Sequence, residues 1–446
     1  MNTALETLRR DFGGDLIGPE DAGYAAAGRS LLVPGSPALV LRPKTVADAR
    51  AGVRFAAAAG LPLSVRGGGH GFAGFGTNDG GVVLDLAHLA QVEIVDERRH
   101  LVRIGGGATW GQVADALAPH GLAISSGDTR SVGVGGLTLG GGIGWKVRRH
   151  GLALDSLVAA EVVTAAGDVV RASAEENPEL FWALRGGGGN FGVVTAFVFA
   201  AHPTTDVFHG TITFPAAEAA TVLQGWAEHL RTAPEELTSV ADFANPFAGG
   251  PQAPVQVHVA FDGDDPRLAA RAIDPLRRLG TVTGDGVALK PYAETLVEGL
   301  VPPPGIRLVT RSGFAGAEAV PEVLRVLVAA GAVEGAPLIS VRALGGAVAR
   351  VPADATAYAH RDAALMVVTM SAGPEPVLAA ARPALDALWR DLAPHVDGAY
   401  ANFLASATEE DVAAVYPAPT YDRLAAVKRR YDPENLFARN HNVRPR

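Results

Sequence analysis

One histidine stands where glycines otherwise crowd. The stretch VRGGGHGFAGFGTNDGGVVLDL, Val65 to Leu86, sets His70 between Gly67-Gly68-Gly69 and Gly71. Glycines leave backbone N–H groups uncovered and let the chain reach φ > 0, a combination that suits an anion, usually a phosphate or pyrophosphate. A phosphate cradle has no use for an imidazole. His70 therefore needs a second chemical reason.

Two windows match GxGxxG, Gly69-Gly71-Gly74 and Gly187-Gly189-Gly192. A dinucleotide fingerprint must follow a strand and open a helix, so that the helix N-terminus faces the pyrophosphate. Gly74 leads into a turn and a strand, and Gly192 leads straight into the β-branched run Val193-Val194-Thr195. Neither window is read as a Rossmann site. A third cluster, GDTRSVGVGGLTLGGGIGW from Gly127 to Trp145, is read either as a glycine-rich hairpin or as backbone packed on something flat. Taken with the first cluster, it suggests one large, flat, pyrophosphate-bearing cofactor held by backbone. The other histidines are scattered, with His360 read as structural, and none shows a metal spacing such as HExxH, so no metal is expected.

The elements around these clusters are legible. Residues 45–60 read as a helix with Thr45 as N-cap, Asp48 three residues on and Gly60 as the stop. Strands are expected at Leu63–Arg66, Val82–Leu86, Val92–Val95 and Val102–Ile104. A helix follows from Trp110 to His120 behind Thr109, another runs from Pro178 to Leu184, and Val193–Ala200 reads as a buried strand. Beyond His202-Pro203 the glycine clusters thin out. Helices at 216–231 and 266–279 alternate with strands at 255–261 and 365–370, with Pro302-Pro303-Pro304 as a loop. This is an α+β pattern, an antiparallel sheet with helices on one face. A charged helix, Tyr421–Arg430, precedes the tail YDPENLFARNHNVRPR.

Composition sets the outer limits. The chain has 446 residues, 48% hydrophobic, with 38 basic and 47 acidic side chains intermixed for a net charge of −9. Two or three domains with a large core are expected, and no basic stripe suggests a nucleic-acid partner. Cysteine is absent, which excludes disulfides, thiolate metal sites and thiol catalysis. No apolar run approaches a membrane span, and MNTALETLRRDFGG lacks an apolar signal core, so a cytoplasmic protein is expected.

The pairing of the Val65–Leu86 stretch with SVGVGGLTLGGGIGW resembles the FAD-binding domain of the vanillyl-alcohol oxidase/p-cresol methylhydroxylase (PCMH) type. EVVTAAGDVVRASAEENPELFWALRGGGGNFGVVT and YDPENLFARNHNV narrow the resemblance to its berberine-bridge-enzyme-like branch. It is strong over the first 205 and last 50 residues and weak between them. It implies a two-domain fold: an FAD domain over 1–205, a substrate domain over 206–399, and a segment 400–446 that returns to the FAD domain.

The resemblance also assigns residues. FAD would be cradled by Arg66, Gly67, Gly68, Gly69, His70 and Gly71. Further contacts would come from Gly127, Thr129, Val132, Gly133, Gly135, Gly136, Gly140, Gly142, Gly144 and Val162, with Asn440 and Asn442 near the flavin ring. His70 would carry the flavin covalently through its 8α-methyl, where a neutral imidazole is a suitable nucleophile. Many members add a cysteinyl bond at the position of Thr129, so attachment here would be single. Val132 stands where a small side chain is associated with oxygen access, which favours an oxidase. Tyr400, in AYANF, matches the tyrosine that sugar-oxidising relatives use as base, and strand alternation would put Asn402 on its face. Arg342 lies where nicotine-oxidising relatives have a lysine, while Leu344 and Gly346 replace their acidic substrate contacts.

The expected activity is oxidation of an alcohol or amine by hydride transfer, with O2 as acceptor and H2O2 as product. Arg342 and Tyr292 would roof the substrate. A dehydrogenase using another acceptor, or a flavoprotein without net redox chemistry, are the alternatives. A monomer or homodimer acting on a small molecule, without nucleic acid or membrane, completes the expectation.

Overall fold

The computed structural model describes residues 2–446 apart from 32, 248, 300 and 304, so Pro304 of the proline loop lies outside the described residues. The first part of the chain builds two small sheets. In one, Leu39–Arg42 and Leu63–Arg66 both run parallel to Val82–Asp85, which lies between them, and Asp15–Ile17 adds an antiparallel edge. The crossover helix, Val46–Ala59, starts on a capping box between Thr45 and Asp48 and stops at Gly60 in the left-handed region, as its sequence requires. Its apolar face meets Leu41, Leu63 and Leu84 in one core.

The second sheet is antiparallel, in the order Val92–Asp96, Leu101–Gly105, Val193–Ala200, Leu157–Val163, Val169–Ser173. Its central strand, VVTAFVFA, is buried on both faces, and Phe197 and Phe199 pack there with Trp110. Trp110 opens the helix Trp110–Leu117 behind a Thr109/Gln112 capping box, and that helix finishes as a 3₁₀ turn at Ala118–His120.

The middle of the chain forms an eight-stranded antiparallel sheet. Helices Ala219–Thr232, Pro266–Arg277, Val320–Gly331 and Glu375–Leu392 share one core with one of its faces. The alternation expected for a half-covered sheet is visible in Val255–Phe261, where Val255, Val257 and Val259 enter the helical core while His258 points to the other face.

That other face turns toward the first domain. Among the ties that cross the seam are Arg361 to Asp155, the buried Lys146 to Asp262, and Arg148 to the Leu237 carbonyl at 2.8 Å. The C-terminal segment then returns through the helix Ala418–Tyr431.

Two local expectations change. The cluster from Gly127 to Trp145 is not a hairpin: Val134–Gly140 is a helix, with Val134, Thr138 and Leu139 buried beneath it. Glycine costs about 1 kcal/mol per position in a helix, and packing is the reason it is kept. A Cβ on Gly135 would sit 3.1 Å from the Gly106 carbonyl, and one on Gly140 2.4 Å from the Asn402 amide oxygen. Tyr400 and Asn402 are not on a strand either. Tyr400 caps a 3₁₀ turn over Ala401–Phe403, and the tightness of that turn is what brings the two side chains together.

Candidate active site

A cleft of about 350 Å³ runs between the glycine loop 67–71, the helix Val134–Gly140, the loop around Gly188 and Gly189, and the C-terminal segment. Close backbone contact shapes its floor. A Cβ on Gly68 would lie 2.3 Å from the Gly133 nitrogen, so the first and third glycine clusters touch through bare backbone. Gly71 and Gly136 line the cleft with nothing near their missing side chains. Arg66 is different. It also lines the cleft, but its buried guanidinium is spent on Asp85 and on the carbonyls of Ala27 and Arg29, so it ties down the base of the loop with its charge paired.

His70 stands half-buried in the cleft wall, with Nε2 3.0 Å from the Ser131 hydroxyl. Burial lowers its pKa, and the Ser131 hydrogen bond only partly opposes this, so the ring is neutral at neutral pH. Among the described residues Nδ1 makes no hydrogen bond. Gly299 packs against the ring: a Cβ there would meet His70 Cε1 and Ser131 Oγ at 3.0 Å.

Across the cleft is Tyr400, 3% exposed. Its hydroxyl oxygen accepts the Gly142 amide at 2.9 Å and the Asn402 side-chain amide at 3.0 Å. Burial raises the phenol pKa; the two donors and the charge of Arg342 pull against that rise. Arg342 itself lies just outside the cleft lining. It donates from Nη1 to Asp128 Oδ2 at 2.9 Å and holds its guanidinium 5.2 Å from the Phe403 ring. Burial alone would raise the Asp128 carboxyl, but the Arg342 charge and hydrogen bond outweigh it and keep it below its ordinary value.

The cleft thus gathers Arg66, His70, Thr129, Val132, Tyr400, Asn440 and the glycines at 67–69, 71, 127, 133, 135, 136 and 140. Four expected contacts lie outside it. Gly142 acts through its amide on Tyr400. Gly144 lets backbone pass, since a Cβ would fall 1.8 Å from the Ser126 carbonyl. Val162 backs the cleft-lining Gly192 from the neighbouring strand. Asn442 is half-buried in the tail. Tyr292 does not roof the cleft: it is buried, shares a 3.3 Å contact with Ser126 and lies beneath Lys146. Leu344 is buried in an apolar cluster and Gly346 packs on the Arg148 carbonyl. His360 stacks on Phe314 at 4.8 Å, the structural role expected of it.

Two site residues escape a sequence reading. Asp128 is a lone acid inside a glycine cluster, a signal that could have marked it. Asn190 is fully buried and ties the loop to the tail, donating to the Gly187 and His441 carbonyls and accepting the Val443 amide. Behind it Lys428 and Asp432, both 0% exposed, pair at 2.7 Å, and Lys428 also bonds the Asn190 carbonyl.

A flat cofactor carrying a pyrophosphate fits this site. Side chains at Gly68, Gly133 and Gly140 would fill or spread the cradle, and the buried Oδ1 of Asn440, on a cleft-lining residue, has no partner among the described residues.

Comparison with known proteins agrees. A family model described as "FAD binding domain" matches residues 37–173, and one described as "Berberine and berberine like" matches residues 399–444. (R)-6-hydroxynicotine oxidase of Paenarthrobacter nicotinovorans is 36% identical over an alignment of 458 positions, covering 97% of each chain. A crystal structure of 6-hydroxy-D-nicotine oxidase from Arthrobacter nicotinovorans superposes with a TM-score of 0.83 at 33% identity, over 98% of each chain. Glucooligosaccharide oxidase from Acremonium strictum, described with a 6-S-cysteinyl, 8α-N1-histidyl FAD, superposes with a TM-score of 0.85 over the whole of both chains. At 24% identity that likeness is one of fold.

Proposed function

The chain belongs to the berberine-bridge-like family of FAD-linked oxidoreductases, and from that premise we propose an oxidase that carries its flavin on His70 and oxidises an alcohol or an amine. FAD, when bound, supplies the hydride acceptor and the route by which two electrons reach O2 to give H2O2. The glycine loops would hold its pyrophosphate, and His70 would hold the ring system. With no cysteine in the chain, and Thr129 at the second family position, that tether is the single one.

The residues around Tyr400 do the proton chemistry. Loss of hydride from the substrate carbon leaves a proton on its O–H or N–H, and Tyr400 takes that proton as its phenolate, having first given up its own proton to solvent. Gly142 and Asn402 both donate to the phenol oxygen, so they favour its charged form and hold it in one place. The positive charge of Arg342 acts in the same sense, while Asp128 keeps Arg342 from swinging into the cleft. Apolar walls from Ile143 and Phe403 exclude water from the reacting atoms.

One observation carries the reading: an imidazole whose Nδ1 has no partner among the described residues and a doubly hydrogen-bonded tyrosine hydroxyl share one glycine-floored cleft. The test is a panel of alcohols and amines read by peroxide formation in air. Flavin bleaching without peroxide would point to another electron acceptor, and no bleaching by any member would count against the oxidation itself.

A further inference from the structure

Beside the cleft lies a second, much smaller chamber of about 10 Å³. It shares Asp128 and Ile143 with the cleft wall and is bounded as well by Trp145, Thr238 and Arg342. Three buried polar atoms of these residues have no partner among the described residues: Trp145 Nε1, Thr238 Oγ1 and Arg342 Nε. Trp145 is 9% exposed and Thr238 3%. Thr238 and Arg342 lie on neighbouring strands, where Val240 pairs with Arg342, so period-2 alternation puts both on the face turned toward Trp145.

Buried polar groups in native proteins are nearly always paired. Three unpaired ones around a single small space mark a site, and their chemistry says for what. Arg342 Nε–H and Trp145 Nε1–H can only donate. The Asp128 carboxylate, ionised beside Arg342, can only accept, and the Thr238 hydroxyl can do either. The occupant must therefore accept two hydrogen bonds and donate others. Water does both, and roughly 10–15 Å³ with two to four polar partners is what one water needs. A halide would meet the two donors but would also face the Asp128 carboxylate.

We propose that this chamber is a specific site for one water molecule, which accepts from Arg342 Nε and Trp145 Nε1 and donates to Thr238 Oγ1 and Asp128. Arg342 is then held along two edges, by Asp128 at Nη1 and by the water at Nε. The guanidinium plane is fixed beside Phe403 and within electrostatic reach of Tyr400. Trp145 and Thr238 become positioning residues for Arg342.

The test is a crystal structure of the flavin-loaded protein at a resolution that shows waters, with matched crystals grown in bromide. A peak within hydrogen-bonding distance of all three atoms, silent in the bromide anomalous map, is the expected result. An empty chamber or a bromide peak overturns the proposal. Thr238→Val supplies an independent arm. If the water is there, the variant loses one of its partners: Tm falls by a few degrees, the Arg342 side chain shifts or splits, and Thr238→Ser restores both. A dry chamber would gain from losing an unpaired hydroxyl, so an unchanged or higher Tm for Thr238→Val, with Arg342 unmoved, also overturns it.

Discussion

Arg361 meets Asp155 with two parallel hydrogen bonds, 2.8 and 2.9 Å long, across 206 residues of sequence. The arginine is 2% exposed and the aspartate 11%, so the pair is sealed into the seam between the two domains. Removing one partner strands the other charge. Arg361→Met is expected to lose about 3–5 kcal/mol of stability, read as a drop in the urea midpoint. The double variant Arg361→Met/Asp155→Leu should recover a large part of that loss.

His70 should be the sole covalent anchor. Wild-type protein precipitated in acid is expected to keep its yellow colour in the pellet and to fluoresce in a denaturing gel. His70→Ala should release all flavin to the supernatant while the fold persists, because the ring bonds only Ser131 among the described residues.

Tyr400→Phe removes the hydroxyl and leaves the aromatic packing against Phe403, 5.3 Å away between ring centres. General-base loss typically costs 10²–10⁴-fold, and that fall is expected in the anaerobic rate of flavin bleaching by a substrate from the panel. Retained wild-type bleaching would take the proton-accepting role away from Tyr400.

Gly68→Ala inserts a methyl group 2.3 Å from the Gly133 nitrogen, where only backbone can give way. The two glycine clusters must separate. Flavin content, measured as the ratio of flavin to protein absorbance, is expected to fall severalfold with little change in far-UV circular dichroism.

Acid should loosen the fold through two half-buried imidazoles. Burial, with the nearby His150, lowers His202 to about 4, and burial, with Lys290, lowers His209 to about 4. Both rings are neutral in the folded protein at pH 5, whereas the unfolded chain, with ordinary values near 6.5, binds those protons. Their contribution is complete above about pH 6.5 and is lost as pH falls toward 4. After solvent screening it is on the order of 2 kcal/mol for each ring. Urea midpoints from pH 7.5 to 4.5 should fall accordingly, and His202→Phe should flatten the slope.

The legible parts of this protein are local ones. Thr45 and Thr109 announce their helices because a capping box is written within four residues, and Gly192 betrays a strand because β-branched residues follow it at once. The helix Val134–Gly140 is hidden because its glycines answer to partners elsewhere: Gly106 and Asn402 decide them, against helix propensity. Strand alternation would put Tyr400 and Asn402 on one face of a strand; a 3₁₀ turn brings them into contact instead. The Arg342–Asp128 pair spans 214 residues and the Asn190–Val443 bond 253, and no local pattern records either.

That last bond has a consequence for how the protein is made. The glycine loop leaves the ribosome early, yet Tyr400, Asn402, Tyr416, Asn440 and His441 line the same cleft and are translated hundreds of residues later. At roughly 5–20 residues per second, the half-built cradle waits tens of seconds for its other wall. Lys428 and Asn190 lock that wall in place only when the tail arrives. Cofactor capture is therefore expected to follow translation, and a ribosome stalled before residue 400 should hold a nascent chain that lacks one wall of the cleft.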